Sequence, residues 1–256
     1  GRFAQSEGPA GLDLNVLSSS VDNVDEARAK YDEEILYIDQ RFGGLLDQLD
    51  RLEIRDETIV VFLSDHGEEF GEHGQFHHSH SVYSELVDIP LIISPTDAMQ
   101  SGRRSDPVQH IDLYPTLLDL AGISLSNLNL ARVQNLEGQS LIDAKQGERH
   151  ARGVISEHLR EGWGSRMRSV VSGHLKLVEH LDSARLELFD LAIDRGETVN
   201  RLETTPPADR DRLMALLQLG DAGTPAIAIN TIDIDLNLME ELRLLGYVPE
   251  HDHHAH

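Results

Sequence analysis

The stretch Thr58-Ile59-Val60-Val61-Phe62-Leu63-Ser64-Asp65-His66-Gly67-Glu68 decides how the rest of the chain is read. Its first six residues combine high β propensity with no polar alternation, which predicts a strand buried on both faces, as in a sheet covered by helices. Open α/β sheets gather ligands at the carboxyl ends of their strands, so Asp65 and His66 stand where chemistry is expected. Asp65 offers a hard anionic oxygen and His66 a neutral imidazole nitrogen, a donor pair suited to a divalent cation. Gly67 lets the chain turn sharply and keeps the position uncrowded. An isolated Asp-His-Gly reads as a capped turn. The density of histidine favours a metal or anion site instead, because His66, His73, His77, His78 and His80 fall within fifteen residues.

Working outward, 256 residues with 39% hydrophobic content can bury the core of one large domain, or of one and a half. The longest apolar run is far short of the ~20 residues that a membrane-spanning helix needs. The start of the chain shows no basic, apolar leader. A net charge of −23 argues against a nucleic-acid partner, since phosphate binding draws on lysine and arginine clusters. Any anionic substrate needs a metal or locally placed cations to offset this field. Lysine occurs only as Lys30, Lys145 and Lys176, which leaves arginine and histidine to carry most positive roles. The chain has no cysteine, so it forms neither disulfides nor thiolate metal sites. The opening on Gly1 leads us to expect a processed protein or a fragment.

Residues 1–24 read as a loop or linker. From Asp25, the three-four spacing of Tyr31, Ile35, Ile38, Phe42, Leu45, Leu49 and Leu52 predicts a long helix whose apolar face packs into a core. Gly43-Gly44 within it costs roughly 1 kcal/mol per glycine relative to alanine, which points to close packing against a neighbour. After the turn at Arg55-Asp56-Glu57 and the strand at 58–63, a polar loop is expected over 64–87. A second strand follows at Ile89-Pro90-Leu91-Ile92-Ile93, with Pro90 tolerated near its start. Asp112 reads as the N-cap of a helix from Leu113 to Ala121, with Pro115 in its first turn and Gly122 at its end. From Gly153 the texture is that of a small antiparallel unit. It has strands at Val154-Ile155-Ser156, Met167 to Val171, Leu175 to Val178 and Leu186 to Phe189, then helices at Ala208 to Leu219 and Asn237 to Leu245. The terminal run His251 to His256 reads as a solvated tail.

Together these motifs resemble the C-terminal half of a sulfatase of the alkaline-phosphatase superfamily. The resemblance rests on Tyr31-Asp32 with Glu34-Ile35, Asp39 and Gly43; on Ser64-Asp65-His66-Gly67-Glu68 and Gly71-Glu72-His73-Gly74; and on Tyr83 through Ile89-Pro90-Leu91-Ile92. Asp112-Leu113 with Pro115-Thr116, Gly138-Gln139-Ser140-Leu141, Leu188-Phe189-Asp190-Leu191, Asp194-Arg195-Gly196-Glu197 and Leu245-Gly246-Tyr247 extend it to residue 248. It implies an α/β fold: an alkaline-phosphatase-like mixed sheet flanked by helices, present in part, then a small α+β subdomain with an antiparallel sheet. On that division, 25–150 is the C-terminal part of the catalytic domain, 151–248 the subdomain and 249–256 a His-rich tail.

The resemblance further implies a site in which a cation holds the sulfate oxygens while a formylglycine hydrate attacks sulfur. That nucleophile arises from a Cys/Ser-x-Pro/Ala-x-Arg motif, and two further acidic metal ligands lie near it in the family. None of these precedes residue 25, so the first half of the catalytic domain is expected to be missing. Asp65 and His66 match the second pair of metal ligands, with calcium the leading ion and manganese or zinc admitted by the imidazole. Where the family places a lysine shortly before Tyr83, His78 or His80 is the substitute here, able to stabilise the sulfate oxygens or protonate the leaving group. His73 is as well suited to holding the loop. The implied partner is a sulfate ester, and a periplasmic or secreted location accords with the resemblance.

Two other readings stand beside this one. Asp-His-Gly-Glu is shared with phosphomonoester and phosphonate hydrolases and phosphoethanolamine transferases of the superfamily. A chain complete as given, without a nucleophile, would instead be a non-catalytic metal-binding module. As a fragment, the chain is expected to be inactive, to bind its cation weakly and to aggregate through exposed sheet edges.

Overall fold

The helix expected from the three-four spacing forms as α1, Val24–Arg51, with Asp25 and Glu26 in its first turn and Arg51 in its last, both favourable to the helix dipole. The computed structural model of the chain describes residues 24–94, 101–123, 138–142, 152–159 and 165–221. These divide into two units, one of 24–78 with 90–94, the other of 79–89 with the described residues from 101 onward. The segments 1–23, 95–100, 124–137, 143–151 and 160–164, the helix expected at 237–245 and the His-rich tail lie outside the described residues.

In the first unit, strand β1, Val60–Leu63, pairs antiparallel with β4, Leu91–Ser94, in a register that sets Val60 opposite Ser94 and Leu63 opposite Leu91. Pro90 stands just before β4, where its missing N–H breaks no ladder bond. The expectation of a strand buried on both faces is not met. Val60, Val61 and Phe62 are half-buried, while Leu63 and its sheet neighbour Ile92 are exposed. Two four-residue strands present two apolar faces, and the described partners cover only part of them.

The apolar face of α1 departs from expectation in the same way. Tyr31 meets Phe70 edge-on at 5.3 Å, Phe42 meets Phe62 at 4.9 Å, and Ala27 is buried. Ile35, Ile38, Leu45 and Leu52, however, are each more than half exposed. Nothing lies within 4 Å of where a Cβ would stand on Gly43 or Gly44, so the close packing inferred for that pair is absent among the described residues. The reason is length: 28 helical residues run about 42 Å, whereas a four-residue strand spans about 13 Å.

The segment read as one polar loop contains further structure. A small hairpin, β2 at Glu69–Phe70 and β3 at Phe76–His77, pairs Glu69 with His77 and Phe70 with Phe76. Its turn uses Gly71 and Gly74 at φ +90° and +86°, a region that glycine enters without strain. The buried Glu69 carboxylate accepts the backbone N–H groups of His73 and Gln75, which substitutes for a longer ladder. One helical turn, α2 at Ser84–Val87, follows in the second unit.

The antiparallel unit forms as its alternation suggests. Strands β5 Val154–His158, β6 Met167–Ser172, β7 Leu175–His180 and β8 Arg185–Asp190 make one sheet in sequential order. Helix α4, Pro207–Asp221, closes one face through Leu213 and Leu217, which pack with Val170, Leu175, Leu177 and Leu188. Successive side chains on a strand point to opposite faces. Met167, Val178 and Phe189 therefore turn to the other face, where they pack with Val82 and Tyr83.

Asp112 stands at the N-cap position of helix α3, Leu113–Leu120, as expected, but it does not cap with its side chain: it is itself helical in backbone, the last residue of a 3₁₀ turn from His110, and makes no side-chain bond to α3. Its buried carboxylate reaches back to the Gln109 N–H and across to the Gln139 N–H at 2.8 Å and the Arg152 guanidinium at 2.7 Å. Thr116 in turn accepts the Leu141 N–H at 2.9 Å. The two motifs 112–116 and 138–141 are thus each other's partners. Gly138 passes so close to Ile111 that a Cβ there would lie 1.8 Å from the Ile111 carbonyl oxygen.

Candidate functional site

Asp65 and His66 follow directly on β1, with the Ser64 hydroxyl donating to the His66 carbonyl at 2.6 Å to shape the turn. The His66 N–H donates to Asp65 Oδ1 at 3.0 Å, which leaves Oδ2 3.7 Å from His66 Nε2. His66 Nδ1 lies 2.8 Å from the Gly67 carbonyl. A carbonyl only accepts, so Nδ1 carries the proton, and in the neutral ring the lone pair falls on Nε2 beside the carboxylate. Burial opposes the charge on Asp65, but the adjacent His66 and the backbone donors hold its carboxyl below the ordinary value. An ionised carboxylate and an imidazole whose other nitrogen is fixed by a carbonyl are the usual form of a metal-ligand pair, so these residues fit a divalent cation. Among the described residues, no group of three or more His, Cys, Asp or Glu is arranged to hold a metal ion. Asp65 and His66 would therefore form part of a ligand set rather than the whole of one.

His78 joins this pair. Its ring stacks on His66 with centroids 4.2 Å apart, and its Nδ1 lies 3.1 Å from Glu68 Oε2. His77 approaches the other Glu68 oxygen at 3.9 Å. The backbone on either side of His78 is unusual, with His77 at φ 71° and Ser79 at φ 66°. Non-glycine residues enter this left-handed region at a cost that surrounding contacts must offset, and such positions cluster at functional sites. His80 belongs to the second unit, three residues before the buried Tyr83. His73 sits in the hairpin turn with its N–H held by Glu69.

Sequence reasoning missed Glu68, whose carboxylate orients His78, although it lies within the quoted motif. It also missed a buried polar network in the second unit. The Tyr83 hydroxyl donates to Glu187 at 2.6 Å, and His180 Nε2 lies 2.7 Å from the same oxygen. Lys176 pairs with Glu197 at 2.6 Å, both almost fully buried. Burial pushes the Lys176 ammonium below the ordinary lysine value despite the attraction of Glu197. The Leu-Lys-Leu alternation gave no sign of this, because it sets Lys176 on the face opposite Leu175 and Leu177, where a polar residue reads as exposed.

The chain belongs to the sulfatase family. The Sulfatase family model matches residues 3–123, and the model for the C-terminal region of N-sulphoglucosamine sulphohydrolase matches 71–214. Choline-sulfatase of Rhizobium meliloti is 32% identical over 196 residues, covering 76% of this chain and 37% of the relative. Human arylsulfatase K is 31% identical over 173 residues, covering 63% of this chain and 31% of the relative. A solved 2-O GAG sulfatase superposes with a TM-score of 0.65 at 25% identity, over 82% of this chain and 45% of that one. The chain thus spans about a third of the length of these curated relatives.

Proposed function

We propose that this chain supplies the second half of the active site of a sulfuric ester hydrolase. The observation that carries the reading is the cluster of Asp65, His66 and His78 beyond β1, with both imidazoles oriented through Nδ1, in a chain of the sulfatase family. Asp65 and His66 are two ligands of a divalent cation, calcium foremost, with manganese or zinc compatible with the nitrogen donor. When bound, the cation neutralises charge on the sulfate oxygens. The formylglycine nucleophile and the remaining acidic ligands belong to sequence other than residues 24–221.

His80 or His78 supplies the proton. Glu68 holds His78 through Nδ1, so Nε2 is the nitrogen that would face an ester. A protonated imidazole there donates to a sulfate oxygen or to the departing alkoxide, where charge builds as the S–O bond breaks. The ester substrate is anionic, and in a chain of net charge −23 these local donors offset the surrounding field.

The test is turnover of an aryl sulfate and the matching aryl phosphate by the full-length protein. The reading expects sulfate to be preferred and Asp65→Ala to lower its kcat/KM about a hundredfold or more. A strong phosphate preference would assign the site to another branch of the superfamily.

A further inference from the structure

His80 lies on a short length of chain whose far end is gripped by two buried carboxylates, Glu187 on strand β8 and Glu197 in the turn that follows it. Tyr83, three residues on, donates its hydroxyl to Glu187, and its ring meets Phe189 edge-on at 6.3 Å. Ser84 donates its backbone N–H to Glu197, which is held from its other oxygen by Lys176. Val82, Tyr83, Ser84 and Leu86 are all buried. Glu197 adopts φ 51°, a strained value for a non-glycine residue, at the turn that presents it to Ser84. Glu187 is itself over-determined, since His180 and Arg185 also hold it. Two carboxylates secured on several sides and spent on adjacent residues, 83 and 84, make an anchor rather than a chance contact.

We propose that Tyr83 and Glu187, together with the Lys176–Glu197 pair, are positioning residues for His80. These contacts, all within the second unit, then hold the chain that carries the candidate acid, beyond any part in folding. The proposal rests on the reading of His80 given above. A side chain three residues from a rigid anchor is confined to a small volume, and losses of about 1 Å in placement can cost a hundredfold in rate.

The experiment is a double-mutant cycle in the full-length protein on an aryl sulfate, with Tyr83→Phe, His80→Ala and the two combined. Tyr83→Phe keeps the ring and removes only the hydroxyl bond, and Glu187→Gln, which keeps the side chain's size, serves as a second lever on the same contact. The expected result is a fall of about tenfold in kcat for either positioning variant with KM little changed, and a fall of a hundredfold or more for His80→Ala. In the His80→Ala background, Tyr83→Phe should cost nothing further, because the group it places is gone. An equal loss in both backgrounds, or no loss in either, would overturn the positioning role while leaving His80 as the acid. Unchanged kcat in His80→Ala would instead remove the reading of His80, and this proposal with it.

Discussion

His66 and His78 stack with their ring centroids 4.2 Å apart and their planes 28° from parallel, although one lies three residues beyond β1 and the other directly follows β3. The β2–β3 hairpin brings the chain back toward the end of β1, and Glu68 holds the His78 ring through Nδ1. The two rings are therefore a unit, and a change in the support of one is transmitted to the other.

Glu68→Gln tests that support. The amide keeps the size of the side chain but can no longer accept as an anion from His78 Nδ1. We expect kcat on an aryl sulfate to fall about tenfold or more in the full-length protein, with a melting temperature close to that of the parent. Unchanged turnover would show that the ring is placed by other contacts.

Lys176→Met should be severe. It leaves the Glu197 carboxylate buried without its cation, a loss of about 3–5 kcal/mol by the measure of broken buried pairs. Adding Glu197→Gln removes the stranded charge, so the double variant should be more stable than Lys176→Met alone. Urea unfolding of the three proteins checks the order, and additive losses would contradict it.

The pH dependence of stability should report on Glu187. Burial disfavours its charged form, but the bonds from His180 and Tyr83 and the charge of Arg185 outweigh burial and hold its carboxyl below the ordinary value. A lowered folded value adds stability above the unfolded pKa, about 4.3, and that stability is lost as pH falls through the folded value. Melting temperatures between about pH 6 and about pH 3 should thus fall more steeply in the parent than in Glu187→Gln. Parallel curves would show that the carboxylate is not linked to folding.

Gly138→Ala should lower stability by about 1–3 kcal/mol, since its Cβ would meet a backbone oxygen that cannot swing aside. Thermal unfolding checks this, and an unchanged midpoint would mean the 112–116 and 138–141 contact gives way freely.

Much of the fold was legible because it is local. The spacing in α1, the alternation in β6 and β7 with Ser172-Gly173 between them, and the helix after Pro207 each announce themselves within a dozen residues. Asp65, His66 and His78 stood out as a candidate cluster for the same reason, and they do lie together. What the sequence hid is set by distant partners. The β2–β3 hairpin is two residues long on each side and rests on the Glu69 carboxylate. The Asp112 carboxylate satisfies groups at 109, 139 and 152, and a cap was the nearest local reading. The Lys176–Glu197 and Tyr83–Glu187 contacts join residues that carry no mutual signal along the chain. The exposed stripe of α1 shows the converse: periodicity predicts which face is apolar, and only the surroundings decide whether it is covered.

The most direct test of the central claim is the metal content of the purified full-length protein, measured by elemental analysis beside aryl sulfate turnover, for the parent and for Asp65→Ala and His66→Ala. The account predicts a bound divalent cation in the parent, and loss of both the cation and turnover in each variant. Full metal occupancy with undiminished turnover in both variants would contradict it.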